Sequence, residues 1–400
     1  MSAPFEAIPA EAAGVLRPVL PTLADEIIAA IAVEVPEYAR AMEGPFGQAV
    51  RRGVELALGR FVDALVSPAA AGQGARDETY VELGRGEMRV GRSLDALLAA
   101  YRVGARVAWR RFVEEGVAAG LPPATLYRLG EAIFAYIDAI SAESAAGFAE
   151  EQSARAGERQ RRRRALVRLL AVQPPADEES IRTAADAAGW DLPREVAALV
   201  VVGAPEAEVD EEAVRLARRI DPTAIGGVGD GAACVFVADP DAPGRRARLA
   251  RVLQGRVGAL GPTVGWGEAG QSAGRALSAA RLAVAGGLPA DGLIVADEHL
   301  VMLALHADPT LAQALAQEAL APLAEIAEPA RQRLRETLRA WLDQPGQVQA
   351  VAGVLGVHPQ TVRYRVRQLR ELYGADLEEP ERRLAIALAL RARRLDPLSV

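Results

Sequence analysis

The sequence predicts a multidomain, mainly α-helical protein with one α/β domain in its middle. Three observations support this prediction. Apolar residues recur at helical spacing from about residue 10 to 140, and again after residue 300. Between 173 and 300 the pattern changes to short, continuous apolar runs separated by helical segments, which is typical of an α/β layer. The length of 400 residues is enough for several domains of ordinary size.

The N-terminal part, residues 1–140, is predicted to be an all-helical domain. In the segment SLDALLAAYRVGARVAWRRF, apolar side chains from Leu94 to Phe112 recur at helical spacing, and no stretch alternates as a strand would. Residues 141–172 are predicted to form an exposed connector helix. They are rich in Ala, Glu and Arg, and their first two thirds contain one large apolar side chain, Phe148, so that they have no face to bury.

The middle part, residues 173–300, is predicted to be an α/β domain of roughly ferredoxin-like type. The predicted buried strands are EVAALVVVG (195–203), ACVFVA (233–238), TVGWG (263–267) and LIV (293–295). The glycine-rich IGGVGDGAACVF is typical of two strands joined by a tight turn. The order is therefore strand, helix, hairpin, helix, strand, helix.

The last part, residues 301–400, is predicted to be a helical linker followed by a helical C-terminal domain with its core at 330–395. Pro309 and Pro322 punctuate the linker, and Pro329 stands where the next helix would begin.

Composition and charge exclude several classes of protein. No run of about 18 apolar residues suggests a membrane span, and no basic leader precedes an apolar core, so we expect a cytoplasmic protein. The single cysteine, Cys234, excludes a disulfide framework and is interpreted as a small buried strand residue. Histidines, cysteine and carboxylates show no metal-ligand spacing, so no metal and no cofactor is expected. The formal net charge of −7 argues against indiscriminate binding of nucleic acid.

Residues 347–372 have the pattern of two helices that meet at a tight corner. In VAGVLGVHPQTVRYRVRQL, Ala352 is small where a crossing helix must approach closely. Gly356 suits the left-handed residue that ends a helix, and Pro359 suits the first position of the next helix. Val362 and the apolar residues after it form a core face. This spacing is that of a helix-turn-helix.

The outward face of the second helix is polar and basic, and we predict that it contacts DNA. Arginine can bind guanine edges or phosphate, glutamine can bind adenine, and hydroxyl groups can donate to phosphate. The candidate contact residues are Gln360, Thr361, Arg363, Tyr364, Arg365, Arg367 and His358. From 330 to 395, 13 arginines stand against seven acidic residues, so a basic module ends an acidic chain. The alternative is a helical hairpin with a solvated basic face.

The C-terminal segment TLRAWLDQPGQVQAVAGVLGVHPQTVRYRVRQLRELYGADLEEPERRLAIALALRA closely resembles the DNA-binding domain of PucR/CdaR-type transcriptional regulators. The resemblance covers about 65 residues and implies binding to double-stranded DNA. Where such proteins commonly show HRNTV, this chain has HPQTV. Pro359 has no side chain that could donate to DNA, so Gln360 and Arg363 become the better candidates for reading bases.

The middle part resembles the GGDEF-like domain of the same regulators. A nucleotidyl cyclase needs carboxylates for Mg²⁺ at the end of its first strand and in its hairpin turn. Here Gly203 and Ala204 follow the first strand, and Asp230 is the one carboxylate in the turn. We therefore expect no enzymatic activity, and a structural or oligomerising role instead.

The N-terminal helices resemble those of RsbR-type stress-signalling proteins, which implies a globin-like helical fold. The stretch that carries this resemblance is RVGRSLDALLAAYRVGARVAWRRF. Haem held by a proximal histidine is excluded, because no histidine precedes His299. Both a small-molecule sensor and a dimerisation platform remain open for this domain.

Taken together, the residues and the resemblances predict a cytoplasmic, sequence-specific DNA-binding regulator. It would act as a homodimer or higher homo-oligomer and respond to a small molecule or a stress signal. The alternative is a signalling scaffold of the RsbR-like type that does not bind DNA. A third possibility, a nucleotide-synthesising enzyme, is disfavoured by the missing carboxylates.

Overall fold

The computed structural model describes residues 5, 8–39, 45–67, 78–253, 255–290 and 292–392. These residues are mainly helical, with one small mixed sheet in the middle of the chain, which confirms the predicted class of fold. None of the helices in these ranges is both long enough and apolar enough to cross a membrane. The chain divides into two compact units, residues 1–158 and residues 159–400.

The first unit is helical throughout its described residues. Its helices are α1 Glu11–Leu16, α2 Leu20–Glu34, α3 Pro36–Ala39, α4 Pro45–Val66, α5 Glu78–Arg89, α6 Leu94–Ala118 and the first part of α7 Pro123–Ala171. Ser93 starts α6, because its hydroxyl accepts a hydrogen bond from the N–H of Ala96 at 3.1 Å. Phe61 stacks on Phe112 at 6.0 Å between ring centroids in the middle of the core.

The structure corrects the predicted connector helix at 141–172. No break separates it from the preceding helix, because α7 runs continuously from Pro123 to Ala171. Its middle is also not a solvated face, since Ser144 and Gly147 are buried against α5. A Cβ atom on Gly147 would lie 2.0 Å from the carbonyl oxygen of Val81. The contact therefore depends on small residues, which leave no apolar periodicity to recognise.

The second unit begins with an α/β domain. Its elements are α8 Glu178–Ala188, β1 Glu195–Val201, α9 Val209–Ile220, β2 Ile225–Gly229, β3 Ala232–Ala238, α10 Arg245–Leu253, β4 Gly258–Leu260, β5 Val264–Gly265, α11 Ala269–Val284 and β6 Leu293–Val295. The strand order is β2-β3-β1-β4-β6, with β5 also paired to β1. β1 is antiparallel to β3 and β4, whereas β4 and β6 are parallel.

The burial of β1 on both faces explains its continuous apolar sequence. Val196 and Val200 face a core formed with the end of α7, α8 and α11. Leu199 and Val201, on the opposite face, pack against α9 and α10. A strand covered by helices on both sides has no polar alternation, which is why its run of apolar residues predicted it correctly.

The predicted strand at 263–267 is present only as β5, Val264–Gly265, and the strand β4 before it was not predicted. The strand that pairs along β1 and β6 is β4, Gly258–Leu260, while Val264–Gly265 forms only a short pairing and a 3-10 turn follows at Trp266–Glu268. The sequence of β4, GAL, has no β-branched or aromatic residue that would indicate a strand. Directly after β4 a residue without a side chain is required, because a Cβ on Gly261 would lie 2.0 Å from the carbonyl oxygen of Ser272.

The rest of the second unit is helical. Its helices are α12 Leu300–Leu305, α13 Pro309–Ala319, α14 Ala330–Asp343, α15 Val348–Leu355, α16 Pro359–Tyr373 and α17 Pro380–Ala392. One apolar cluster joins α13, α14, α16 and α17, and a second joins α14, α15 and α16. Residues 393–395, the end of the predicted core, lie outside the described residues.

Candidate DNA-binding site

The corner between α15 and α16 has the geometry that its sequence predicts. Gly356 ends α15 with φ 62° and ψ 34°, in the left-handed region. The N–H of Val357 donates to the carbonyl oxygen of Ala352 at 3.1 Å, which closes the last turn. Glycine is suited to this position because any other L-residue would bring its Cβ against the backbone.

The next two residues start α16. Pro359 occupies the first helical position, where the missing N–H would have no partner in the helix. His358 caps the helix, since its Nδ1 accepts a hydrogen bond from the N–H of Gln360 at 3.3 Å. The ring of His358, one of the predicted contact residues, is therefore used within the corner itself.

The core face of α16 sets its orientation. Val362 and Leu369 are fully buried, and Val366 is nearly so. Val362 and Val366 pack in one cluster with Val351 and Ala352 of α15. Because these side chains point inward at helical spacing, the residues between them must point outward.

The outward face brings four of the predicted residues together on α16. Gln360, Arg363 and Arg367 are exposed, and Tyr364 is 59% exposed. Among the described residues, the guanidinium groups of Arg363 and Arg367 make no ion pair and no hydrogen bond. Their charges are thus available to a ligand outside the chain.

Two predicted residues lie to the side of this face. Thr361 is half-buried, and so is Arg365. The Nη1 atom of Arg365 donates to the hydroxyl of Thr337 on α14 at 3.3 Å. Arg365 therefore extends toward α14, which its residue type alone did not indicate.

A cleft beside the face was missed in the sequence. It lies between the start of α14 and the second half of α16, with a volume of about 570 Å³, and includes Arg333, Gln368 and Glu371. Gln368 donates to the hydroxyl of Tyr364 at 3.2 Å. The spacing of four residues could have indicated this bond. Nothing in the sequence brings Arg333 to the same cleft, because it belongs to another helix.

Ion pairs elsewhere in this domain neutralise acidic groups away from α16. Arg391 pairs with Asp343 at 2.8 Å, and Arg382 pairs with Glu318 at 2.9 Å. The arginines of the outward face take no part in these pairs. The charges of Arg363 and Arg367 are therefore not neutralised by ion pairs among the described residues.

The hairpin of the α/β domain offers little to a metal ion. Asp230 occupies the turn between β2 and β3 with φ 46°, and its carbonyl oxygen accepts a hydrogen bond from Arg281 at 3.1 Å. Over the part of the chain that the structure describes, no three His, Cys, Asp or Glu residues cluster as metal ligands would. Burial raises the pKa of the nearby Cys234 thiol to about 12, so this thiol stays protonated and unreactive at neutral pH.

The described chain thus consists of an all-helical domain, an α/β domain and a terminal helix-turn-helix with a basic outward face. Three family models match the chain: the PucR-like N-terminal domain at residues 5–171, the GGDEF-like domain at 173–286 and the PucR C-terminal helix-turn-helix domain at 334–392. These matches confirm the recognition from sequence of the GGDEF-like middle domain and the PucR-type C-terminal domain, and they add a PucR-like N-terminal domain that was not named from the sequence. The PucR-type helix-turn-helix supports a role as a transcription regulator. The resemblance of the N-terminal helices to RsbR-type proteins stays a prediction.

Similar proteins match parts of the chain. An uncharacterized protein of Thermomonospora curvata is 42% identical over 79 residues, which are 20% of this chain and 43% of that protein. An uncharacterized protein of Mycobacterium tuberculosis is 36% identical over 138 residues, or 34% of this chain and 32% of that protein. The chain thus spans less than half the length of these curated relatives. A solved regulator of polyketide synthase expression from Bifidobacterium adolescentis is 21% identical, with a TM-score of 0.31, over 58% of this chain and 92% of that one.

Proposed function

We propose that this protein is a transcription regulator that binds double-stranded DNA through the first half of α16. The observation that supports the proposal most strongly is the exposed pair Arg363 and Arg367, unpaired within the described chain, on a helix whose orientation is set by buried valines. A helix held in this way by a helix-turn-helix core enters the major groove with its N-terminal residues toward the bases.

The side chains of the outward face divide into two proposed roles. Gln360 and Arg363 lie in the first turns of α16 and would read base edges, adenine by the amide and guanine by the guanidinium fork. Arg367 and Tyr364 would contact phosphates, and Thr361 would do so from the side of the helix. His358 and Arg365 would act indirectly, by capping α16 and by bracing it against α14.

The protein would act as a homodimer or higher homo-oligomer in the cytoplasm. One helix-turn-helix reads only a few base pairs, so specific binding calls for two copies on a two-part site. The acidic balance of the whole chain, −7, would limit non-specific binding. Control of DNA binding would come from a small molecule or a stress signal.

The test is DNA binding by the full chain to a site selected from a random library, measured as a function of salt. Each lost phosphate contact should lower the slope of log K against log salt by about 0.9, and each lost base contact should lower affinity by roughly ten- to a hundredfold. We expect both effects in the double variant that combines Arg363→Ala with Arg367→Ala. Arg382→Ala is the matched control, because Arg382 pairs with Glu318 away from the face.

Two results would contradict the proposal. Tight, sequence-specific binding that survives loss of both arginines would show that α16 is not the reading helix. Weak binding of the unaltered chain, equal for all sequences, would favour the signalling scaffold instead.

The GGDEF-like domain is proposed to have no nucleotide-synthesising activity. A cyclase needs Mg²⁺-binding carboxylates both after its first strand and in its hairpin turn. Asp230 supplies one in the turn, but Gly203 and Ala204 occupy the position after β1. Incubation of the full chain with GTP or ATP and Mg²⁺ should yield no cyclic or linked nucleotide, and product formation would refute this part of the proposal.

A further inference from the structure

The core of the first unit contains a cavity of about 140 Å³. Side chains of the helices α2 to α7 surround it, among them Ile27, Phe112 and Ile137. Protein interiors are close-packed, and voids larger than a water molecule are few in a domain. A cavity of this size in the centre of a domain therefore calls for an explanation.

The residues that leave this space open are not needed for helix packing. Gly53 and Gly104 both line the cavity. A Cβ atom would lie 3.7 Å from Leu83 at Gly53 and 3.4 Å from Ile27 at Gly104, both ordinary contacts. By contrast, a Cβ on Gly84 would lie 1.9 Å from a backbone oxygen of α7. Gly84 is thus required by a close helix contact, whereas the two cavity glycines would tolerate a side chain.

The wall of the cavity is apolar except for a group of polar residues that includes Glu87. The carboxylate of Glu87 is only 9% exposed and accepts a hydrogen bond from Nε of Arg92 at 2.5 Å. Burial raises the pKa of the Tyr38 phenol, and the charge of Glu87 raises it further. Burial likewise raises the pKa of Tyr101, whose hydroxyl lies 2.8 Å from that of Ser144. These phenols stay neutral, and Glu87, whose charge is balanced by Arg92, is the carboxylate among the lining residues.

We propose that this cavity is the effector site, and that it binds a small uncharged molecule with an apolar body and one hydrogen-bond donor. The volume matches an engineered cavity of about 150 Å³ that binds benzene. A carboxylate accepts hydrogen bonds, so the ligand donates to Glu87 through a hydroxyl or N–H group, and an acid is excluded because its charge would lose its hydration among the apolar side chains of the wall. The role as effector site rests on the proposed regulatory function, whereas the binding itself does not depend on DNA.

Three probes of one ring size test the ligand class by calorimetry on the full chain. Phenol has an apolar ring and a donor, fluorobenzene has no donor, and benzoate is an acid. We expect phenol to bind about tenfold more tightly than fluorobenzene, because a hydrogen bond to a buried charged group is lost. Benzoate should not bind. Equal affinity for phenol and benzoate, or no binding of phenol, would overturn the inference.

A matched pair of variants tests the location. Ala108 lines the cavity, whereas Ala132 is fully buried in the same core but does not line it. Ala108→Val should fill the space, reduce phenol affinity at least tenfold and leave the melting temperature unchanged or higher. Ala132→Val should lower the melting temperature through overpacking and leave phenol affinity unchanged. The opposite pattern would overturn the location.

A crystal of the full chain soaked with 4-bromophenol keeps the test valid if a variant fails to fold. Anomalous bromine density beside Tyr101 and Phe112 supports the inference, and density only elsewhere refutes it. Failure of all phenol binding while the chain still binds its DNA site would remove this inference and leave the proposed DNA-binding function intact.

Discussion

Alanine should have opposite effects at two helical glycines of the first unit. At Gly84, the added Cβ would lie 1.9 Å from the carbonyl oxygen of Ser144 and 2.8 Å from its carbonyl carbon. An ordinary contact needs well over an ångström more, and the neighbour is backbone, so α5 and α7 must move apart. Overpacking of this kind costs about 1–3 kcal/mol, against about 0.5–1 kcal/mol gained from replacing glycine in a helix. Gly84→Ala should therefore destabilise the unit by up to about 2.5 kcal/mol.

Gly53→Ala is the matched control. Its Cβ would meet only Leu83, at 3.7 Å, so the helix gain of about 0.5–1 kcal/mol should remain. Because a multidomain chain does not unfold in two states, the assay is amide hydrogen exchange followed in peptides from α4, α5 and α7. We expect faster exchange in Gly84→Ala and slower exchange in Gly53→Ala. Equal or better protection in Gly84→Ala would show that the α5–α7 contact is looser than its geometry implies.

Three further predictions concern the second unit. Gly356→Ala should lower the local stability by about 1 kcal/mol in hydrogen exchange of peptides from α15 and α16, because Gly356 has a positive φ, whereas Gly353→Ala inside α15 should not. Arg365→Ala should reduce thermal stability yet leave the salt slope of DNA binding unchanged, since this arginine braces α14. Hydrogen bonds from Thr223 hold the pKa of Asp221 at about 2, below 3.8. The stability that Asp221 contributes is then present above pH 3.8 and is lost as the pH falls toward 2. Unfolding curves of Asp221→Asn and of the unaltered chain should therefore differ above pH 3.8 and converge near pH 2.

The sequence predicted elements wherever burial follows a regular period or a long apolar run. β1 was recognised because helices cover both of its faces, and α6 because its apolar residues recur at helical spacing. The middle of α7 was misjudged because its contacts with α5 use Ser144 and Gly147, which lack apolar bulk. β4 was missed because Gly258 and Ala259 have no bulky or β-branched side chain, whereas the equally short β6, with the sequence LIV, was predicted. Contacts made by small residues therefore escape prediction from hydrophobic patterns.

In the candidate site, too, some features could be predicted from the sequence and others could not. The corner could be predicted residue by residue, because Gly356 and Pro359 have backbone requirements that belong to the residue type itself. The direction of Arg365 could not, since it depends on Thr337 of α14, a residue 28 positions away. A helical arginine between the core face and the outward face can extend either way, and only the neighbouring helix decides.

The corner also determines where the outward face of α16 can begin. Pro359 lacks both an N–H group and a polar side chain, so it cannot donate to DNA. His358 before it uses Nδ1 to cap the helix. The first side chain free to extend outward is therefore that of Gln360, followed one turn later by Arg363. A family pattern with a polar side chain in place of Pro359 would begin its contacts one residue earlier. If this chain reads DNA, Gln360 and Arg363 must supply the specificity that the missing side chain would otherwise share.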